Sequence, residues 1–440
     1  MKPETLKELL EKIGNVRIAI IGDFCLDAYW FVDESKSEIS IETGKPTTPV
    51  SIQKYSLGGA GNVASNLASL GAGQIWALGV TGRDPFASEM ISLMESAGIN
   101  TDYLLTQETD WSTHVYIKPH IGETEQSRID FGDFNRLSEE TALDLLTNLE
   151  KISKEASLVI INQQVLSGIH TPFFRKKLVD VISSLPEKIF IADSRNFMED
   201  YTGAYRKMND SEAARLCGIA KQPGEIISRN EALEFAAQLG LRFGKPVFIT
   251  RGSNGSVVAG KNGITEIPGL MIISPTDTVG AGDSYLAGAA ATLAAGYSLE
   301  TAALLGTFTA GVTVQKLYQT GTASPEEIIA IGSSPDFSYN PDIASDIRHA
   351  EYHRETEIEI IKKPDDKLTV KYAVFDNDGT ISALREGWEH IMAPMMMKAI
   401  LGEKYSEAGE SLYARVKNAV NEMIDKTTGV QTLKQMQILI

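Results

Sequence analysis

The stretch DTVGAGDSYLAG, Asp277 to Gly288, sets two carboxylates around a run of small residues at the mouth of an apolar helical pattern. A helix N-terminus leaves backbone N–H groups without intrahelical partners, and the helix dipole favours negative charge there. Gly280, Ala281 and Gly282 carry almost no side chain, so a phosphate can approach their N–H groups closely enough to be held by backbone alone. Asp283 would then face that anion. The conflict resolves if Asp283 takes a proton from a hydroxyl while the amides stabilise charge on a transferring phosphoryl group. A plainer reading fits the same residues: GAG is a tight turn and Asp283 a helix cap. The stretch by itself leaves both open.

The rest of the chain narrows the class of protein. With 440 residues it has room for two or three domains and a large core. Its 43% hydrophobic and 22% charged residues describe an ordinary α/β protein rather than a disordered or fibrous one. A formal charge of −17 argues against nucleic acid or an anionic membrane as partner, while leaving room for a local basic pocket. Two cysteines, Cys25 and Cys217, make neither a disulfide framework nor a zinc site and are expected to pack. The start, MKPETLKELLEKIG, reads as a charged amphipathic helix and not a signal peptide, and no apolar run is long enough to span a bilayer. A cytoplasmic location is the expectation.

Apolar runs that read as buried strands recur at VRIAIIG (16–22), IWALGV (75–80), LVIIN (158–162), IFIAD (189–193) and PVFIT (246–250). Helical patterns such as GNVASNLASLG, PFASEMISLMESAG and NEALEFAAQLGLRFG lie between several of them. That alternation predicts a mostly parallel sheet covered on both faces, with ligands at the carboxyl ends of its strands. Residues 28–57 and 110–134, near-alternating and without helices, predict an antiparallel flap able to cover a site, or else an extension of the sheet edge. From about residue 336 to 370 the chain turns polar and reads as a linker, and at KYAVFDNDGTIS a new strand ending in acids is expected to open a second domain over 371–440.

Four further motifs carry candidate chemistry. GDFCLD (22–27) sets Asp27 where a strand meets a loop, able to accept hydrogen bonds from adjacent sugar hydroxyls; GGAGNVASN (58–66) opens a helix with backbone accessible at Gly58 and Gly59 and with Asn62 as donor and acceptor. Each also fits a capped turn. NDSE (209–212) puts Asn209 and Glu212 three residues apart, suited to organising water around Mg²⁺ or to forming a capping box. TRGSNG (250–255) follows a strand and borders a nucleotide or turns a hairpin.

In this order GDFCLD, GGAGNVA, NDSE, TRGSNG and DTVGAGDSYLAG resemble the PfkB (ribokinase-like) family of carbohydrate kinases over roughly residues 15–330, so the expected first domain, 1–335, is an α/β ribokinase-like kinase with a small β flap. GDFCLDAYW, SLGGAGNVASNLASLGA, EQSRIDF and GTASPEE look most like bacterial heptose-7-phosphate kinases, which phosphorylate the anomeric hydroxyl. The resemblance implies ATP and Mg²⁺ as cofactors and assigns roles. Asp283 matches the catalytic base, with Gly280, Ala281 and Gly282 as anion hole. Asp27, Gly58, Gly59 and Asn62 match sugar-contacting positions, and Asn209 and Glu212 the Asn-x-x-Glu motif acting on Mg²⁺ through water. Thr250, Gly252 and Gly255 match the loop near ATP. Asp277 matches an acid that in many relatives helps form a monovalent-cation site, so K⁺ activation is a hypothesis, and a homodimer through the flap is the expected assembly.

Asn162, Gln163 and Gln164 stand where heptose kinases are expected to carry an acidic and aromatic pair, which bears on the substrate side. VFDNDGTIS resembles motif I of haloacid-dehalogenase-like (HAD-like) phosphatases, with Asp376 as nucleophile and Asp378 as acid/base; the parts that would complete such a site do not follow, and a fragment of a longer chain is favoured over a degenerate domain. The leading expectation is a heptose-7-phosphate 1-kinase. Its rivals are a kinase for ribose, fructose or a nucleoside, a non-catalytic sugar-binding regulator of the attached domain, and a protein whose phosphatase activity dominates.

Overall fold

The computed structural model describes residues 1–440 except 123, 222–224, 226, 273, 318–320, 339–350, 355, 357–359, 361–368, 370, 376–387 and 427–440. The chain begins with α1 (Pro3–Ile13), β1 (Arg17–Gly22), β2 (Phe24–Val32), β3 (Val50–Gly59), α2 (Ala60–Ser69), β4 (Gln74–Thr81), α3 (Pro85–Ser96) and β5 (Asn100–Thr106). Then come β6 (His114–Ile121), β7 (Thr124–Glu125), β8 (Ile129–Phe131), α4 (Glu139–Ser153), β9 (Leu158–Gln163), α5 (Pro172–Ser184), β10 (Ile189–Ser194), β11 (Tyr205–Asn209) and α6 (Asp210–Leu216). The first unit closes with α7 (Arg229–Phe243), β12 (Val247–Thr250), β13 (Ser256–Gly260), β14 (Gly263–Ile267), α8 (Ala281–Ala294), α9 (Leu299–Thr313) and α10 (Pro325–Ser333).

The main sheet has nine strands in the order β14-β13-β12-β11-β10-β9-β1-β4-β5. It is parallel from β5 to β12, as the strand–helix alternation predicts, and turns antiparallel only through the β12–β13–β14 meander. Successive side chains of a strand point to opposite faces. Val159 and Ile161 of β9 and Phe190 and Ala192 of β10 therefore join the core with Leu145 and Leu149 of α4, Phe174 and Leu178 of α5 and Phe235 and Leu239 of α7. Their alternates, Ile160, Asn162, Ile191 and Asp193, face the other side, where α8 packs on β1, β9 and β10.

The second sheet is the expected flap, built from β3-β2-β6-β7 with β8 also on β6. It departs from expectation in one respect. β2 and β3 pair antiparallel, but β2 and β6 run parallel, Cys25 opposite His114 through Val32 opposite Ile121. The two strands come from different crossovers rather than from one hairpin, so nothing in the local turn forces them to oppose. The segment 33–49 carries only a short 3₁₀ turn and an isolated bridge, Ile39 to Pro46.

Helices Trp388–Leu401 and Glu410–Lys426 bury Met392, Met396, Met397, Val420 and Ile424 against each other. The strand expected at KYAVF does not form over 371–375, and Tyr372 and Val374 are exposed; a strand needs a neighbour to satisfy its backbone, and none pairs with it among the described residues. Asp376 and Asp378 lie outside the described residues.

α8 is set by α2 on one side and α9 on the other. Its contact with α9 depends on two missing side chains: a Cβ on Gly288 would meet Thr309 Oγ1, and one on Gly306 would stand 2.8 Å from Tyr285 O. Gly288→Val should therefore push the helices apart, costing about 1–3 kcal/mol in urea unfolding and displacing the residues at the start of α8.

Candidate active site

The first turn of α8 is shaped by backbone. Asp277 accepts the Val279 N–H at 3.0 Å through its side chain and donates its own N–H to Val314 O at 2.8 Å. Gly280 is the N-cap at φ 78°, a left-handed conformation that disfavours any Cβ, and no side chain caps the helix. The Ala281 N–H turns back to Thr278 O at 3.2 Å, so that amide is taken up by the turn. Among the described residues no backbone carbonyl accepts from the N–H of Gly282 or Asp283. The GAG segment is thus a tight turn that leaves part of its amide set unbonded.

Gly282 has a reason to be bare that the sequence reading does not contain. A Cβ there would stand 2.8 Å from Lys207 Nζ. Lys207 comes up from β11, opposite Asp193 of β10 in the sheet register, and its ammonium binds Asp193 Oδ2 at 2.8 Å, with each side chain 7% exposed. Gly22, Asn162, Asp193 and Lys207 form one row across β1, β9, β10 and β11 on the α8 face. A buried cation therefore lies directly under the turn. An ammonium has three donors, of which Asp193 takes one.

Asp283 stands in the same volume, half-buried, where Asn62 Nδ2 donates to its Oδ2 at 2.8 Å. Burial, reinforced by the Asp193 carboxylate, pushes its carboxyl up to about 6, against the opposing pull of Lys207, Asn62 and Arg195. Such a group is ionised at neutral pH yet basic enough to accept a proton.

The flap side of the site holds the sugar-contacting candidates. Asp27 is held by Lys118 Nζ at 2.9 Å, with the two side chains 14% and 15% exposed, and the Tyr29 hydroxyl lies 3.4 Å from the same ammonium. Gly58 stands opposite Cys25 and Gly59 opposite Phe24; a Cβ on Gly58 would come within 2.9 Å of Asp27 Oδ2. Asp23, in the same GDFCLD motif, is the acid that organises the backbone. Its Oδ2 accepts from the N–H groups of Gln164 and Val165 at 2.9 and 3.2 Å, and its Oδ1 from Ile169 at 3.0 Å. The buried Cys25 thiol packs beside Gly59, and burial, with Asp23, Asp27 and Asp283 around it, pushes its pKa well up.

Of the three residues that depart from the heptose-kinase pattern, Gln163 is structural: it accepts from Ser194 Oγ at 2.7 Å and Asn196 N–H at 2.9 Å and donates to Val165 O at 2.9 Å. The Gln164 side chain lies beside Gly59, and the Asn162 amide is fully buried in the polar row with neither side-chain atom hydrogen-bonded among the described residues. Asn209 and Glu212 form a reciprocal capping box on α6, Asn209 accepting from the Glu212 N–H at 2.7 Å and Glu212 from the Asn209 N–H at 2.9 Å. Burial, together with the nearby Asp193 carboxylate, raises the Glu212 pKa. Thr250, Gly252 and Gly255 lie on the turn between β12 and β13, which is a hairpin, with both glycines at positive φ. Asp193, Lys207, Asp23 and Asn66 were not singled out from the sequence. For Asp193 and Lys207 the signal is position: Asp193 is the next-to-last residue of β10, Lys207 sits two residues before the end of β11, and ligands gather at the carboxyl ends of parallel strands.

A nine-stranded, mainly parallel sheet with a β flap, and a glycine-rich helix start carrying a base-like carboxylate, define an α/β sugar-kinase architecture. Residues 16–327 match the pfkB family carbohydrate kinases, and the chain belongs to that family. It is similar to the "Bifunctional protein HldE" of Halorhodospira halophila, 29% identical over 73% of this chain and 64% of the relative. The protein of the same name from Vibrio cholerae is 28% identical over 76% of this chain and 67% of its own length. The chain thus spans about two thirds of the length of these relatives. Among solved structures, Arabidopsis thaliana ribokinase complexed with ribose and ATP superposes with a TM-score of 0.55 at 16% identity, covering 72% of this chain and 98% of that one. Escherichia coli phosphofructokinase-2 in complex with potassium gives 0.54 at 18%, covering 72% and 97%. These likenesses establish the ribokinase-like fold. No helix among the described residues is long and apolar enough to cross a membrane.

Removing one member of a buried ion pair strands the other, so Asp193→Ala should cost about 3–5 kcal/mol in chemical denaturation. Lys207→Met and Asp193→Ala should both also depress kinase turnover. Unchanged turnover in a folded Lys207→Met variant would separate the pair from the reaction.

Proposed function

We propose that the chain transfers the γ-phosphoryl group of ATP to a sugar or sugar-phosphate hydroxyl, with heptose 7-phosphate as the leading acceptor. The observation that carries the reading is the coexistence of the Asp283 carboxylate, the Gly282 amide and the Lys207 ammonium at one helix start. Asp283 accepts the proton of the attacking hydroxyl, while the Gly282 N–H and Lys207 hold the charge that grows on the phosphoryl oxygens. Asp27 and Lys118 offer acceptor and donor to sugar oxygens from the flap. Gly280 and Ala281 shape the anion hole; Thr250, Gly252 and Gly255 border the nucleotide.

For Mg²⁺, no group of three His, Cys, Asp or Glu side chains able to hold a metal occurs among the described residues. That suits an ion which keeps much of its water and takes most of its remaining ligands from nucleotide phosphates. Asn209 and Glu212 would hold it through water, Glu212 lying close enough to Asp193 to feel its charge. When bound, the ion offsets phosphate charge. K⁺ near Asp277 belongs to the same proposal, supported only by the sequence match. A homodimer through the flap is supported by the exposed Ile52 and Ile129 on β3 and β8. The heptose reading rests on the sequence resemblance and on the relatives named above. The domain division, 1–335 kinase, 336–370 linker and 371–440 the start of a HAD-like phosphatase domain, rests on sequence.

ADP release across heptose 7-phosphate, fructose 6-phosphate, D-fructose, D-ribose and adenosine tests the reading. Heptose 7-phosphate is expected to give the highest kcat/KM; turnover of a free pentose or hexose alone would reject it, and sugar binding without ADP release would favour the regulator. Asp283→Asn should lower kcat by about 10²–10⁴. Only the ionised carboxylate accepts a proton, so kcat/KM should fall as pH drops through about 6, the pKa of Asp283.

A further inference from the structure

A general base must have its carboxylate aimed at the hydroxyl it deprotonates. Asn62 and Asn66 stand one turn apart on the face of α2 that packs on α8, 2% and 0% exposed. An ionised carboxylate only accepts hydrogen bonds, so Asn62 must present its amide nitrogen to Asp283 Oδ2, as it does at 2.8 Å. Its Oδ1 then points the other way and needs a donor. Asn66 Nδ2 supplies one at 3.0 Å, and also reaches Asn62 O at 3.0 Å. The amides form a directed chain, Asn66 to Asn62 to Asp283, in which turning either amide over would set oxygen against oxygen. Asn66 Oδ1, meanwhile, is buried with no hydrogen-bond partner among the described residues. Burying an unsatisfied acceptor costs stability that packing alone does not require, so Asn66 calls for a reason beyond filling space.

We propose that Asn66 is a positioning residue for phosphoryl transfer: by pinning the Asn62 amide it fixes the orientation of the Asp283 carboxylate towards the acceptor hydroxyl. The inference rests on the reading of Asp283 as the base. Asn66 itself touches neither substrate nor nucleotide. The charged and titratable groups that also face Asp283 are Asp193 of β10, Arg195 just beyond it, Lys207 of β11 and Cys25 of β2, and Asn66 variants leave all of them in place.

The test compares N66L and N66D with the wild type and with D283N, measuring ADP release against pH from 5 to 9 with the panel sugar that turns over fastest. N66L removes the donor that holds Asn62. N66D replaces it with an acceptor that draws the Asn62 amide nitrogen away from Asp283. A lost hydrogen bond to the ionised carboxylate raises its pKa, so the acidic limb of kcat/KM should move up by about one unit for N66L and further for N66D. At pH 6 that is a loss of about fivefold for N66L and more for N66D, shrinking towards pH 9. If N66L yields no folded protein, N66A, which removes the donor without adding charge beside Asp283, carries the comparison. Superimposable pH profiles for a folded N66L or N66A and the wild type, with D283N inactive, would overturn the role of Asn66 and leave the base standing. An active D283N would overturn both.

Discussion

Everything at this site follows from placing a carboxylate, an ammonium and unbonded amides in one small volume at the start of α8. Opposite charges left together would simply neutralise each other. Here the Lys207 ammonium is tied to Asp193 beneath the turn, and the Asp283 carboxylate is tied to Asn62 beside it, so the two are held near each other without pairing. The bare Gly282 in the turn between them leaves the ammonium its place, because a Cβ there would stand 2.8 Å from Lys207 Nζ and displace it. Burial then does what a phosphoryl-transfer site needs: it lifts the acid towards neutrality and strengthens the pull of the cation on an approaching phosphate.

The scaffold supplies this geometry through ordinary packing rules. Parallel strands buried on both faces end in a shared edge, and the row Gly22, Asn162, Asp193, Lys207 is the first point at which their α8-facing side chains turn polar. Ile20, Ile160 and Ile191, two residues earlier on the same face, are fully buried. The transition from core to chemistry therefore takes a single pleat. The flap approaches from the other side, with Asp23 clamping the loop that carries Gln164 while Asp27, four residues on, faces Lys118.

Much of this was legible in the amino-acid sequence, and what was not has physical reasons. Short, β-branched apolar runs such as LVIIN and IFIAD, bounded by polar residues and alternating with helical patterns, read as buried parallel strands. The glycine-rich turn at 280–282 announces close backbone approach. It does not announce what approaches: from sequence the glycines exposed amides, whereas in the fold Gly282 also makes room for Lys207, a residue seventy-five positions earlier that only strand register brings near. Asp193 was hidden for the same reason, as the last letter of an apolar run. Asn66 looked like one polar position on a helix until α2 was laid against α8. The parallel pairing of β2 with β6 was equally invisible, since alternation marks a strand without naming its partner or direction. At KYAVF a strand-like pattern had no partner at all among the described residues, and the pattern alone was not enough.

The most direct measurement is a crystal structure of the chain with a non-hydrolysable ATP analogue and the sugar it phosphorylates. The account requires the terminal phosphate oxygens against the Gly282 N–H and the Lys207 ammonium, with the acceptor hydroxyl at hydrogen-bonding distance from the Asp283 carboxylate. A terminal phosphate bound away from the start of α8, or a reacting hydroxyl out of reach of Asp283, would contradict it.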